Sequence, residues 1–416
     1  MPVDQPLTLR ALTGADLDQL IELGEIVFNS APSSDAERAI DAELQELDRG
    51  RGVGVFDGDE LAGAGTVSSF ELTVPGGGVL PMLGVLFIGV KSTHRRRGGM
   101  SRIIRHQLHA AHEESAEPLA GLTASESVIY GRFGYGQAAY GAWFTVPRHR
   151  ASLRPVPGID DVRIRMVPTA DSLAVCEAVH ARQVGKRTGM LARDEKWARA
   201  YAADLEQWRE GRSVLRTVLA ERAGGAVGYA RYRTKQGWED GVNTGRTDVA
   251  ELHADDPAVF AALVRYLTDI DLTTTTDFGR QPVDSPLMYQ LADLRAAQMR
   301  VRETLYLRLV DVDRALAGRG YAGQVDLVLD GTDELCPWNA GRWRLSGDEK
   351  TAECVRTDAA ADLALDIREL AAVFLGGSTI AALEQAGQVK ELRPGAAAEA
   401  SRAFATQLAP WLQYGI

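Results

Sequence analysis

The sequence predicts an α+β protein in which one mixed-sheet domain occurs twice in tandem and a third, α/β region follows. Three observations carry that expectation. The order strand-helix-helix-strand-strand-strand-helix-strand can be read over residues 1–150 and again over 151–300. In each copy a strand runs through a short polar turn directly into an amphipathic helix. From residue 301 onward the alternation of Leu305, Leu307 and Leu309 with Tyr306 and Arg308 opens a set of elements outside that repeat.

In the first copy, Leu7 to Ala11 alternates as a strand, and Ala15–Phe28 and Ser34–Arg49 are expected helices. Gly52–Phe56 and Leu61–Phe70 flank a turn at Asp57-Gly58-Asp59, the composition of a hairpin. After Gly76-Gly77-Gly78 comes Met82–Val90, almost wholly apolar and rich in Val, Ile and Phe, which reads as a buried strand. The helix that follows, to about Ser115, places Ile103, Ile104, Leu108 and Ala111 on one face. Leu119–Thr123 and Trp143–Val146 are the closing strands.

The second copy repeats the order. Strands are expected at Val162–Val167, Val214–Arg222, Val227–Arg233, Thr247–His253 and Leu272–Phe278. Helices are expected at Asp171–Val184, Arg193–Glu210 and Pro257–Asp269, the last with proline in its first turn. The third region, 301–416, adds strands at Val325–Leu329, Gly341–Leu345 and Ala352–Arg356. Its helices are expected at Ala361–Phe374, Thr379–Ala386 and Ala396–Leu408, and Pro410 sets off a short apolar tail ending at Ile416.

Composition is that of an ordinary globular chain, 45% apolar and 25% charged over 416 residues. A formal net charge of −11 disfavours a nucleic-acid partner, which calls for a basic surface. No apolar run approaches the roughly 20 residues that span a bilayer, so no membrane association is expected. No secretory signal is visible, and Cys176, Cys336 and Cys354 lie far apart without CxxC spacing. A cytoplasmic location is the expectation.

Two stretches carry chemistry. In Met82–Ser101 a strand feeds Arg95-Arg96-Arg97-Gly98-Gly99 into a helix start. A helix N-terminus offers unbonded N–H groups and the positive end of its dipole, and arginine adds charge, which together suit the pyrophosphate of an acyl-coenzyme A. Walker A and dinucleotide-fold patterns are absent. The second copy has Asp255-Asp256-Pro257 at the matching turn: two carboxylates and a missing N–H, unsuited to phosphate. The other stretch, Ser125–Gly136, sets Tyr130 among glycines and aromatics just after a strand, where open sheets bind ligands. His106, His109 and His112 recur along one helix, but no zinc pattern accompanies them and no metal is expected.

Together, "GVKSTHRRRG" and "ASESVIYGRFGYG" resemble the GNAT N-acetyltransferases, and within them the Eis (enhanced intracellular survival) family. The resemblance extends over the whole chain. It implies a cofactor-binding GNAT domain at 1–150, a second GNAT-like domain without cofactor at 151–300, and a sterol-carrier-protein-like domain at 301–416 ending in a catalytic C-terminus. It implies acetyl transfer from acetyl-CoA to an amine of a cationic substrate, either an aminoglycoside or lysine side chains, by a homo-oligomer, a hexamer in this family. Carried over by residue, Ile88, Gly89 and Val90 would hold the pantetheine arm. Arg96, Arg97, Gly98, Gly99, Met100 and Ser101 would surround the pyrophosphate, and Ser125 and Glu126 would contact the cofactor after the next strand. Tyr130 matches the family's general acid, and the C-terminal carboxylate, here that of Ile416, its general base. A different class of reading is a non-catalytic acyl-CoA- or lipid-binding protein.

Overall fold

The computed structural model describes residues 7–45, 47 and 51–416. Along the first segment lie β1 (Thr8–Ala11), α1 (Leu17–Phe28), α2 (Asp35–Gln45), β2 (Val53–Asp57), β3 (Glu60–Thr73), β4 (Val79–Val90), α3 (Gly99–Glu113), β5 (Leu119–Leu122) and β6 (Gly136–Pro147). The expected end of the second helix, at 46 and 48–49, falls outside the described residues. The next segment holds β7 (Arg163–Val167), α4 (Leu173–Gln183), α5 (Glu195–Ala202), β8 (Arg216–Arg222), β9 (Gly225–Lys235), a small hairpin of β10 (Trp238–Glu239) and β11 (Val242–Asn243), β12 (Arg246–Ala254), α6 (Pro257–Thr268), β13 (Thr275–Pro282) and α7 (Leu287–Gln290). The last holds β14 (Gln298–Leu309), α8 (Val312–Ala317), β15 (Val325–Thr332), β16 (Gly341–Gly347), β17 (Ala352–Arg356), β18 (Leu363–Asp366), α9 (Ile367–Val373), α10 (Ile380–Gln385), β19 (Val389–Glu391) and α11 (Ala396–Phe404).

The chain divides into two compact units. The first comprises Met1–Ala139, Thr304–Gln407 and Gly415–Ile416; the second comprises Tyr140–Glu303 and Leu408–Tyr414. In the first, β1 to β4 are antiparallel neighbours in order. β5 then joins β4 in parallel and pairs with the end of β14 through Leu119↔Leu309. All four expected face residues of α3 are buried. The same unit carries a five-stranded sheet in the order β17-β16-β15-β18-β19. In the second unit β7, β8, β9 and β12 are successive antiparallel neighbours, β13 lies parallel to β12, and the latter part of β6 pairs antiparallel with β13. The strand-helix order expected for both copies is thus present.

Several expectations at element level change. The start of the helix expected at Ala361–Phe374 is the strand β18, parallel to β15, and α9 begins only at Ile367. Helix-favouring alanines are overridden there because Leu363 and Leu365 alternate into the core while the Asp366 carboxylate caps α9 by accepting the Arg368 N–H at 2.9 Å. The helix expected at Arg193–Glu210 stops at Ala202. The short strand expected at Trp143–Val146 is the end of the twelve-residue β6.

Candidate active site

Opposite Thr66 and Val67 of β3, strand β4 presents Phe87 and Val85, so Leu86 is an extra residue in a bulge. A bulge leaves a backbone group outside the ladder and re-aims the residues after it. Past this point Phe87 and Gly89 stay buried while Leu86, Ile88 and Val90 are part-exposed. Parallel pairing with β5 ends at Gly84↔Gly121. Beyond that pair, residues 85–90 without Phe87 on one side and 122–126 on the other line a cavity of about 700 Å³.

The floor of the cavity is the start of α3. Gly98 caps the helix with a φ of +79° and no side chain, a conformation that disfavours other residues. Arg102 N–H bonds Gly98 O at 3.1 Å, and a first turn leaves the preceding N–H groups unbonded within the helix. Gly98, Gly99, Met100 and Ser101 all face the cavity, as do Arg95 and Arg96, which form no ion pair among the described residues. Arg97 does not line it. Its Nη1 donates to Asp57 Oδ2 at 2.8 Å, holding that carboxyl below its usual range, and His94 lies 3.4 Å from the same oxygen. Arg97 therefore ties the turn to the end of β2.

Tyr130 stands on the wall, 7% exposed, on the loop after β5. Burial, with a smaller push from the Glu126 carboxylate, raises its hydroxyl to about 12. That hydroxyl has no hydrogen-bond partner among the described residues. The loop is held from below. Tyr130 O accepts the N–H of Phe133 at 3.0 Å and of Tyr135 at 3.4 Å, and the Tyr135 ring lies 6.0 Å away at a steep angle. A Cβ at Gly136 would sit 2.1 Å from Arg368 O, so only glycine allows this approach. Beneath, the buried Arg308 guanidinium grips both Asp333 oxygens at 2.7 and 2.6 Å.

Ser125, Glu126, Gly415 and Ile416 complete the lining, and Ile416 N–H donates to Thr123 Oγ1 at 3.3 Å. Of the residues singled out in the sequence, Ile88, Gly89, Val90, Arg96, Gly98, Gly99, Met100, Ser101, Ser125, Glu126, Tyr130 and Ile416 therefore share this one cavity, and Arg97 is outside it. Sequence reasoning missed Val27 and Phe28 at the end of α1, and also Arg132. The only signal at α1 was an apolar helix end. The three histidines of α3 are not gathered as a metal group among the described residues. His112 bonds Asp311 at 2.5 Å and stacks on Trp338, while His109 meets Leu335 O at 3.2 Å.

The corresponding turn of the second unit is closed from within. The Asp256 carboxylate accepts the N–H groups of Ala258 and Val259 at 2.9 and 3.0 Å, filling the start of α6, and pairs with Arg222. Asp255 pairs with Arg182. No helix among the described residues is long and apolar enough to cross a membrane.

Comparison with known proteins agrees with this architecture. Acetyltransferase (GNAT) domain models match residues 8–138 and 189–309, and a sterol carrier protein domain model matches 312–413. An N-acetyltransferase of Streptomyces avermitilis is 46% identical over 93% of this chain and 94% of its own. The N-acetyltransferase Eis of Mycobacterium tuberculosis is 33% identical, covering 81% of each chain. The crystal structure of Eis1 from Mycobacterium abscessus superposes with a TM-score of 0.83 at 32% identity, over 98% of this chain and all of that one. GNAT acetyltransferases use acetyl-CoA, and with two GNAT domains, a sterol carrier protein domain and these relatives, the chain belongs to the Eis family of N-acetyltransferases.

Proposed function

We propose that this N-acetyltransferase acetylates an amine of a cationic substrate, an aminoglycoside or a lysine side chain, with Tyr130 as general acid and the Ile416 carboxylate as general base. The observation that carries the proposal is that Tyr130, Ile416 and the open start of α3 line one cavity. Acetyl-CoA fits that cavity in its chemistry. Unbonded N–H groups at Gly99, Met100 and Ser101, with the charges of Arg95 and Arg96, unpaired among the described residues, suit a pyrophosphate. Ile88, Gly89 and Val90 offer strand backbone to the pantetheine amides, with Ser125 and Glu126 on the facing wall. Arg97 serves by bracing the turn through Asp57. The second unit, with Asp256 in the place of a phosphate, binds no cofactor.

When bound, acetyl-CoA supplies a thioester carbon open to attack by an amine. An amine must lose its proton to attack, and the Ile416 carboxylate takes it. Tyr130, kept protonated by burial, gives its proton to the departing sulfur. A backbone N–H freed at the Leu86 bulge or at Ile88 meets the oxygen on which charge develops. On the family resemblance the enzyme is a cytoplasmic homohexamer.

The deciding experiment supplies acetyl-CoA with a panel of aminoglycosides and lysine-containing peptides and follows free thiol. Thiol release that depends on an added amine supports the proposal. Saturable acetyl-CoA binding without thiol release across the panel would replace it with the non-catalytic acyl-CoA- or lipid-binding reading.

A further inference from the structure

In the first unit the cavity begins where the parallel pairing of β4 and β5 ends. In the second unit the parallel pairing of β12 and β13 ends at Val249↔Phe278, and the chain's own tail lies beyond it. The Trp411 ring is 5.6 Å from that of His253 on β12, and its Nε1 donates to Arg280 O on β13 at 2.6 Å. Its backbone N–H donates to Thr188 O at 2.9 Å, in the segment between α4 and α5. Gly189, at a φ of +89°, leaves the room: a Cβ there would lie 2.9 Å from Trp411 N.

Gln413 is the second anchor. Its Oε1 accepts the Leu191 N–H at 3.3 Å, and its Nε2 donates to Leu191 O at 2.9 Å and to His180 Nε2 at 3.0 Å. Burial holds His180 down to about 2, so the ring stays neutral and can accept that bond. Tyr414 follows, its ring 4.4 Å from Tyr201 and its hydroxyl 3.4 Å from the carbonyls of Leu191 and Ala192. A buried amide costs free energy unless its groups are bonded, so these bonds admit one register of the tail. A slip of one residue would bury Gln413 without partners.

We propose that the splayed strands of the second unit, which hold no cofactor, serve as a clamp for the tail, and that Trp411 and Gln413 are positioning residues for the Ile416 carboxylate. The proposal rests on the reading of Ile416 as the base. Ile416 is three steps along the chain from Gln413, and an extended chain covers about 3.5 Å per residue, so fixing Gln413 confines Ile416 to within about 11 Å. Misplacement of a reacting group by about 1 Å can cost about a hundredfold in rate.

The test uses the full chain carrying Gln413→Leu and, separately, Trp411→Phe, which keeps an aromatic ring but loses the Nε1–H donor together with the pyrrole part of the indole. Carboxypeptidase trimming of the native protein, read by mass spectrometry, reports whether the tail is held; kcat and the acetyl-CoA KM report its consequence. Faster trimming with a kcat about 10- to 100-fold lower for Gln413→Leu, a smaller loss for Trp411→Phe, and an acetyl-CoA KM within twofold of the parent are expected. Trimming at the parent rate overturns the clamp. Faster trimming with unchanged kcat overturns the positioning role. Deletion of Ile416, measured alongside, separates the two ideas: a crippled deletion with a normal Gln413→Leu rejects the clamp alone, whereas a fully active deletion rejects Ile416 as base and the clamp's role with it. If Gln413→Leu does not fold, Trp411→Phe decides by the same outcomes.

Discussion

Ile416 donates its backbone N–H to the hydroxyl of Thr123, the residue that follows β5, at 3.3 Å. That bond joins the last residue of the sequence to the strand whose next turn carries Ser125, Glu126 and Tyr130. The residues assigned as base and acid thus hang from the same short stretch, one covalently and one by a hydrogen bond.

Replacing Tyr130 with Phe removes the proposed proton donor and keeps the ring packing. Turnover should fall about 10²- to 10⁴-fold with acetyl-CoA affinity retained, as measured by steady-state kinetics and calorimetric binding. Unchanged turnover would remove Tyr130 from the mechanism.

Tyr130 also predicts a pH effect. Its hydroxyl is raised in the fold to about 12, so its contribution to stability is complete below the unfolded value of about 10 and is lost as pH rises through the folded one. Urea midpoints measured from pH 8 upward should decline beyond about pH 10, less steeply in Tyr130→Phe.

Adding residues after Ile416 converts the assigned base into an amide. A C-terminally extended enzyme should bind acetyl-CoA and turn over slowly, and removal of the extension by a protease should restore the rate. Full activity of the extended form would refute the assignment.

Asp256→Ala strips the cap from α6 in the second unit. Stability should drop by about 1 kcal/mol, and acetyl-CoA should still bind at one site per chain, because Pro257 supplies no N–H at the first helical position. Calorimetric stoichiometry and denaturant titration check both parts.

Arg308→Met leaves the buried Asp333 carboxylate without its cation beneath the Tyr130–Gly136 loop. A loss of about 3–5 kcal/mol is expected, because an unpaired buried charge is left behind. The double variant Arg308→Met/Asp333→Leu should recover part of it.

The duplicated order and the buried face of α3 were legible because periodicity records burial: Ile103, Ile104, Leu108 and Ala111 repeat at helical spacing and all lie inside. That the turn at Gly98 opens a helix beside a cavity was legible because a glycine-led helix start with adjacent arginines has few other uses in that place. The separate role of Arg97 was not, since three adjacent arginines look alike until Asp57, forty residues upstream, selects one of them. β18 was hidden because its alanine-rich surroundings favour helix, and only pairing with β15 across more than thirty residues decides otherwise. Phe28 escaped for a related reason: an exposed aromatic at a helix end signals nothing until the cavity beside it is formed.

Asp256 has a consequence for how the two copies can change over time. Its carboxylate competes for the start of α6 as a tethered ligand, present at an effective concentration on the order of millimolar or higher that no dilution lowers. Raising the concentration of a phosphorylated cofactor therefore does little to displace it. On the proposed reading, in which the second unit binds no cofactor, a second site would require losing Asp256, replacing Pro257 and expelling Trp411 from between the strands, and none of these steps alone creates one. On that reading, contacts inside the chain keep the two copies unequal.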